Sequence, residues 1–158
     1  MQLIRKILFP TDFGDHMEAA LETAKNMANT FECELKILHV LPEEFRSEKL
    51  EQLVREKMEE HMSALKAENI ICSYLVRAGN ITDLIVATAE RERASLILLG
   101  ASQGRKMDTK LGSNSEKVIR NSSIPVWVVE PNKAVNFNKV LCPVDYSEES
   151  KIALDNAA

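Results

Sequence analysis

Leu96-Ile-Leu-Leu-Gly-Ala-Ser-Gln-Gly104, followed by Leu111-Gly-Ser-Asn-Ser-Glu116, carries the residue types most able to do chemistry. An apolar run ends in a glycine-bearing loop, and the loop feeds a helix that opens on Gly-Ser. Glycines let backbone N–H groups approach an anion with no side chain in the way. The unpaired N–H groups of a helix start add about half a positive charge. Gly112, Ser113, Asn114 and Ser115 therefore read as a cradle for a phosphate, with a serine hydroxyl added. The competing reading is a capping box, Ser113-x-x-Glu116, which needs no ligand and would leave Ser115 the freer hydroxyl. Gly100 and Gly104 read either as a turn needing positive φ or as points of close contact with ribose or phosphate. Arg105, Lys106 and Lys110 belong to the same loop, where solvated basic residues are the commoner outcome.

Other chemistries find little support. A Walker loop would need Gly-x-x-x-x-Gly-Lys-[Ser/Thr] after the first strand, and a dinucleotide fingerprint Gly-x-Gly-x-x-Gly in the same place. Pro10-Thr-Asp-Phe-Gly14 supplies neither. His16, His39 and His61 sit in different elements, with no metal spacing and no local Ser/His/Asp set. His39, inside a strand, reads as a satisfied structural residue. Trp127 reads as core or interface. Asp12 ends the first strand, either as a helix-entry cap or facing a ligand. One carboxylate does not define a cation site, so no metal ligand is assigned. No general base or arginine finger is visible, so hydrolysis of a bound nucleotide would be slow.

The elements that must position these residues follow from periodicity. Apolar strands are expected over 3–9, 34–41, 70–76, 95–99 and 125–129. Between them lie helical patterns: 15–29, 47–68, 80–91 and 114–121. The 47–68 helix has Leu50, Leu53, Val54, Met58, Met62 and Leu65 as its buried stripe. Alternation of strand and helix predicts an α/β fold: an open parallel sheet with helices on both faces, Rossmann-like in layout. Ligands bind such sheets outside the carboxyl ends of the strands, where strand order reverses. Pro10, Thr11, Asp12, Val40, Leu99 and the 100–112 loop fall at those ends.

The totals agree with one domain. The chain has 158 residues, 45% apolar and 28% charged. A net charge of −4 argues against nucleic acid as the main partner. Three scattered cysteines give no disulfide framework or zinc site and fit a reducing cytoplasm. No transmembrane or signal segment is visible. The tail repeats the start: Lys139-Val-Leu-Cys-Pro-Val-Asp-Tyr matches Lys6-Ile-Leu-Phe-Pro-Thr-Asp-Phe at an offset of 133 residues. The expected organisation is one domain over 1–130, a linker over 131–137, and over 138–158 the first strand and helix of a second copy. On that expectation the chain is a piece of one about twice as long.

Ile7-Leu-Phe-Pro-Thr-Asp12, Leu38-His-Val-Leu41, Leu99-Gly100, Gly104, Gly112-Ser113 and Ile124-Pro-Val-Trp-Val-Val129 together resemble the universal stress protein family. The resemblance covers residues 4–130. It implies a five-stranded parallel sheet of order 3-2-1-4-5 and, in many members, ATP binding. It also implies that the aspartate matching Asp12 faces the nucleoside, and that the residue matching Val40 contacts adenine through its backbone. A homodimer through the last strand, Pro125 to Val129, is implied too. ATP-binding members carry Gly-x-x-Gly, nine residues, then Gly-Ser or Gly-Thr. Here three residues separate Gly100 from Gly104, and seven separate Gly104 from Gly112. The loop is one residue shorter in total, with both anchored ends kept. The primary expectation is an ATP-binding regulatory module, with Mg or Mn as companion ion. The alternative, suggested by the altered spacing, is a nucleotide-free dimerisation domain.

Overall fold

The computed structural model describes residues 4–14, 17–101, 112–130 and 141–157. Five strands form one parallel sheet: β1 (Lys6–Pro10), β2 (Glu34–Leu41), β3 (Cys72–Ala78), β4 (Leu96–Gly100) and β5 (Val126–Val129). Their order is β3-β2-β1-β4-β5, as the family resemblance implied. The helices are α1 (Glu18–Phe31), α2 (Glu48–Ala67), α3 (Ile81–Arg91), α4 (Ser113–Asn121) and α5 (Glu148–Ala157). Neighbouring strands alternate their side chains between two cores. Ile7, Phe9, Leu35, Ile37 and Leu98 point into the core beneath α1 and α2. Leu8, Leu38, Ile97 and Leu99 point into the core shared with Ile85 and Ala89 of α3 and Val118 of α4. Strands covered on both faces must be apolar on both, which is why these read as continuous apolar runs.

Helix starts follow the expected signals in two cases. The Ser47 hydroxyl accepts from the Leu50 N–H at 3.2 Å, and the Asn80 side chain accepts from the Asp83 N–H at 3.1 Å. Helix ends follow a rule the sequence hid. In α1, α2 and α3 the chain turns through a left-handed residue that is not glycine: Glu32 (φ 49°), Asn69 (φ 62°) and Arg93 (φ 53°). The next N–H in each case reaches back to a last-turn carbonyl: Cys33 to Ala28 at 3.0 Å, Ile70 to Leu65 at 3.1 Å, Ala94 to Ala89 at 2.8 Å. This is the Schellman arrangement, and the residue after the turn is buried each time. It explains why the third strand begins at Cys72 rather than at residue 70: Ile70 is spent on terminating α2. The first strand is displaced likewise, running to Pro10 instead of stopping before it. Proline fits there because the next donor, Thr11 N–H, makes the closing bond to Leu38 O at 2.9 Å. One residue of the predicted α2 stripe is misassigned. Leu53 is 52% exposed, because the helix leans on Val54, Met58, Met62 and Leu65.

At the amino end of the sheet, Lys6 and Lys36 meet two carboxylates. Lys6 lies 3.1 Å from Glu34 and Lys36 lies 3.3 Å from Glu92. Burial alone would raise the Glu34 carboxyl, but the Ser73 hydroxyl and the Lys6 ammonium outweigh it and hold it below its ordinary 4.5. Residues 141–157 repeat the local geometry that follows β1. Asp12 accepts the Gly14 N–H at 2.9 Å, and Asp145 accepts the Ser147 N–H at 3.0 Å. The aromatic residue between is left-handed in both, Phe13 at φ 62° and Tyr146 at φ 67°. The tail leaves Leu141 and Tyr146 each 92% exposed.

Two outcomes follow from these packing relations. A carboxyl depressed on folding stabilises the fold above its unfolded value near 4.5, and that share is lost as pH falls through the lower folded value. Glu34→Gln should therefore lower stability by about 1 kcal/mol at pH 7, the scale of a partly exposed network. The gap between variant and parent in urea titrations should close as pH drops below 4.5; a gap constant down to pH 3 would contradict the assignment. Arg93→Gly relieves a left-handed side chain and should raise the unfolding free energy by about 0.5–1 kcal/mol, read from the denaturation midpoint. A lowered midpoint would sink that account.

Candidate functional site

The strand order reverses between β1 and β4, and a crevice of about 210 Å³ opens at their carboxyl ends. Pro10, Thr11, Asp12, Val40, Leu99, Gly100, Gly112, Ser113, Asn114 and Ser115 all line it. Ten of the eleven residues singled out from the sequence are thus brought together. The eleventh, Gly104, lies outside the described residues, as do Arg105, Lys106 and Lys110. The floor is apolar, made by Leu38, Ile85, Leu99 and Val118. Sequence reasoning missed Met17, Leu38, Ile81, Ile85 and Val118. Their signal was an ordinary apolar stripe, and only the crossover of α3 to the far face brings Ile81 and Ile85 to the crevice.

One wall is the turn after β1, held by its own side chains. Thr11 Oγ1 accepts the Phe13 N–H at 3.1 Å, and Asp12 Oδ1 accepts the Gly14 N–H at 2.9 Å. Asp12 is therefore a turn-former rather than the cap of α1, whose N-cap is Met17 with no side-chain bond. Behind the turn, His39 Nδ1 lies 2.8 Å from Thr11 O. A carbonyl can only accept, so Nδ1 carries the proton. Burial lowers the His39 pKa, outweighing the Thr11 bond and the Asp12 carboxylate, which raise it. The imidazole is then neutral at pH 7, a satisfied structural residue as its place in the strand suggested. Phe13 leans on it, with ring centroids 4.7 Å apart.

The opposite wall is the start of α4. Gly112 is the N-cap, with no side-chain bond, and the first helical bond runs from Glu116 N–H to Gly112 O at 3.1 Å. This corrects the capping-box reading. Ser113 is the first helical residue, so its hydroxyl is not spent on the Glu116 side of the turn. Ser113 and Asn114 are exposed, whereas Ser115 is 8% exposed. The freer hydroxyl is therefore Ser113, not Ser115. The N–H groups of Ser113, Asn114 and Ser115 precede the first helical bond and have no intrahelical acceptor. Gly100 closes the base of the crevice for a packing reason. A Cβ there would lie 2.7 Å from Met17 Sδ and 3.3 Å from Ala20 Cβ. The glycine makes room for α1 rather than supplying a positive φ.

These walls offer amide donors and a hydroxyl on one side and a carboxylate on the other, over an apolar floor. That suits a ligand with an anionic end and a flat apolar part. Asp12 is the one titratable residue among the described lining residues. Among the described residues no group of three or more His, Cys, Asp or Glu could hold a metal ion. No helix there is long and apolar enough to cross a membrane.

The family model for the universal stress protein family matches residues 3–130. Universal stress protein MJ0531 of Methanocaldococcus jannaschii is 31% identical over 144 residues, covering 83% of this chain and 85% of that protein. The solved structure of MJ0577 from the same organism has a TM-score of 0.68 at 29% identity, covering 83% of this chain and 99% of that one. A universal stress protein from Archaeoglobus fulgidus, 32% identical with a TM-score of 0.63, is matched over 82% of this chain but 45% of its own. An Archaeoglobus fulgidus universal stress protein in complex with dAMP shares the fold at 20% identity, with a TM-score of 0.65 over 80% of this chain and 98% of that one. With its sheet order, its crevice and the match over 3–130, the chain belongs to the universal stress protein family.

Proposed function

We propose that this domain is an ATP-binding regulatory module of the stress response, working in the cytoplasm. The observation that carries the reading is the start of α4, which has no side-chain cap and whose residues line the same crevice as Asp12 and Val40. The triphosphate lies against Gly112, Ser113, Asn114 and Ser115, with Gly100 and Gly104 beside it. Asp12, Pro10 and Thr11 face the nucleoside, and the base lies over Leu99 with the Val40 backbone at its edge. Mg or Mn accompanies the phosphates. The nucleotide complex of a fold neighbour, with dAMP, supports a nucleotide as the class of ligand. The crevice, about 210 Å³, is smaller than the usual ligand pocket of about 300–1,000 Å³, so part of the nucleotide extends past its described walls. Binding then selects one shape of the 100–112 loop, which makes the module a switch with little or no hydrolysis.

Equilibrium dialysis of the purified chain with labelled ATP tests this. Retention at micromolar to millimolar nucleotide is expected, and Ser113→Asp should weaken it by about tenfold or more, because a carboxylate then faces the phosphates. No retention at millimolar ATP would defeat the reading.

A second reading concerns assembly. β5 is an edge strand, and Val126, Trp127 and Val128 on it are partly exposed. Paired through that edge, two copies form a homodimer, with or without nucleotide. Residues 138–158 are proposed as the start of a second domain after a linker over 131–137. The repeated turn of Asp12 and Asp145, and the relative matched over 45% of its length, both support this. Light scattering separates the two surfaces. Val128→Pro should halve the mass of a β5 dimer, and deletion of 138–158 should leave it unchanged. The opposite pattern would assign the dimer to the tail.

A further inference from the structure

On the face of the sheet away from α3 and α4, α1 lies over β1 and β4 while α2 lies over β3. Phe9 near the end of β1 and Ile37 in the middle of β2 lie between the two helices. The gap is a cleft of about 550 Å³, more than twice the 210 Å³ of the crevice. Buried Phe9, Ile37 and Met58 back it, and the apolar surface it offers comes from the partly exposed Phe13, Met17 and Leu21. The turn after β1 divides the two cavities, and Thr11 and Met17 border both.

The rim is not symmetric in charge. The α2 wall carries Lys57 and His61. The Lys57 ammonium lies 4.8 Å from the Phe13 ring centroid, and the His61 ring stacks on Phe13 at 5.5 Å. Phe13 therefore holds both groups at the mouth. The α1 wall carries Glu18 and Glu22, but Glu22 is bound by Lys25 at 2.7 Å. Among the described residues, a ligand entering the cleft meets apolar surface, a cation and an imidazole on the α2 side, and Glu18 on the α1 side.

We propose that this cleft is a second binding site, for a small amphipathic acid. Its apolar or aromatic body lies on Met17 and Leu21 beside the Phe13 ring. Its carboxylate or sulfonate stays at the mouth against Lys57 and His61. The volume fits this class, since small-molecule sites span about 300–1,000 Å³. Charge complementarity fits it as well, because Lys57 is kept near the mouth by its ring contact rather than by a carboxylate partner in that contact. The inference does not rest on the nucleotide reading.

Fluorescence titration of the full chain with anilinonaphthalene sulfonate tests it. One saturable site is expected. Lys57→Glu should weaken it by about tenfold, the size of one charge-assisted contact. Leu21→Glu, which puts a carboxylate on the apolar wall, should abolish it. Glu18→Gln should leave it unchanged or tighten it. Circular dichroism checks that each variant is folded, and Lys57→Glu, a surface change, keeps the test open if Leu21→Glu does not fold. Absence of saturable binding would overturn the inference. So would binding indifferent to Lys57→Glu, as the exposed apolar tail would give, or binding weakened by Glu18→Gln.

Discussion

The turn after β1 is the constraint on which the rest of this structure depends. The chain must leave the central strand at the point where strand order reverses, and it has no glycine there until Gly14. Phe13 takes the left-handed conformation instead, which is costly for a bulky residue. The cost is offset locally. Thr11 and Asp12 each accept an N–H two residues on, and His39 donates to the Thr11 carbonyl from the neighbouring strand. With its polar groups tied inward, the turn stands as a wall. It presents Asp12 to one cavity and the Phe13 ring to the other.

The same economy governs the helix ends. Glu32, Asn69 and Arg93 take the left-handed position that glycine usually fills, and each is followed by a buried residue that fixes where the next strand begins. Three crossovers built alike deliver β2, β3 and β4 in register, so their carboxyl ends meet at one rim. Gly100 belongs to this logic. It lets Met17 and Ala20 approach the end of β4, which brings Met17, the N-cap of α1, to the border of the crevice.

Much of this was legible in the sequence, and the failures have physical causes. Strands buried on both faces announce themselves as apolar runs, so all five were found, and β2 was placed to the residue. The helix caps at Ser47 and Asn80 are local side-chain chemistry, and local chemistry can be read. The non-glycine Schellman turns could not, because nothing in Glu32 or Arg93 marks a left-handed residue. The capping-box reading failed because Gly112 itself serves as the N-cap, moving Ser113 one place into the helix. Leu53 was assigned to the core because a helix of 20 residues with many apolar side chains offers more than one plausible stripe. The cleft between α1 and α2 left no trace in sequence. It arises from where two helices rest on the sheet, which is decided by contacts far apart along the chain.

Among the described residues, the polar groups at the crevice are largely committed to holding its walls. Proton transfer needs a base whose lone pair is aimed at the substrate. The one carboxylate among the described lining residues, Asp12, has Oδ1 committed to the Gly14 N–H, and the bond that commits it also builds the turn. Freeing that oxygen for catalysis would release the wall it supports. The imidazole behind the turn, His39, is turned the other way, with Nδ1 on Thr11 O and its ring against Phe13. The serine hydroxyls of α4 have no base beside them among the described residues. What the described residues offer is a set of fixed donors over an apolar floor, an arrangement able to hold an anion. Gly100, fixed by its packing against Met17 and Ala20, and Gly112, the N-cap of α4, stand at the two anchored edges of that crevice.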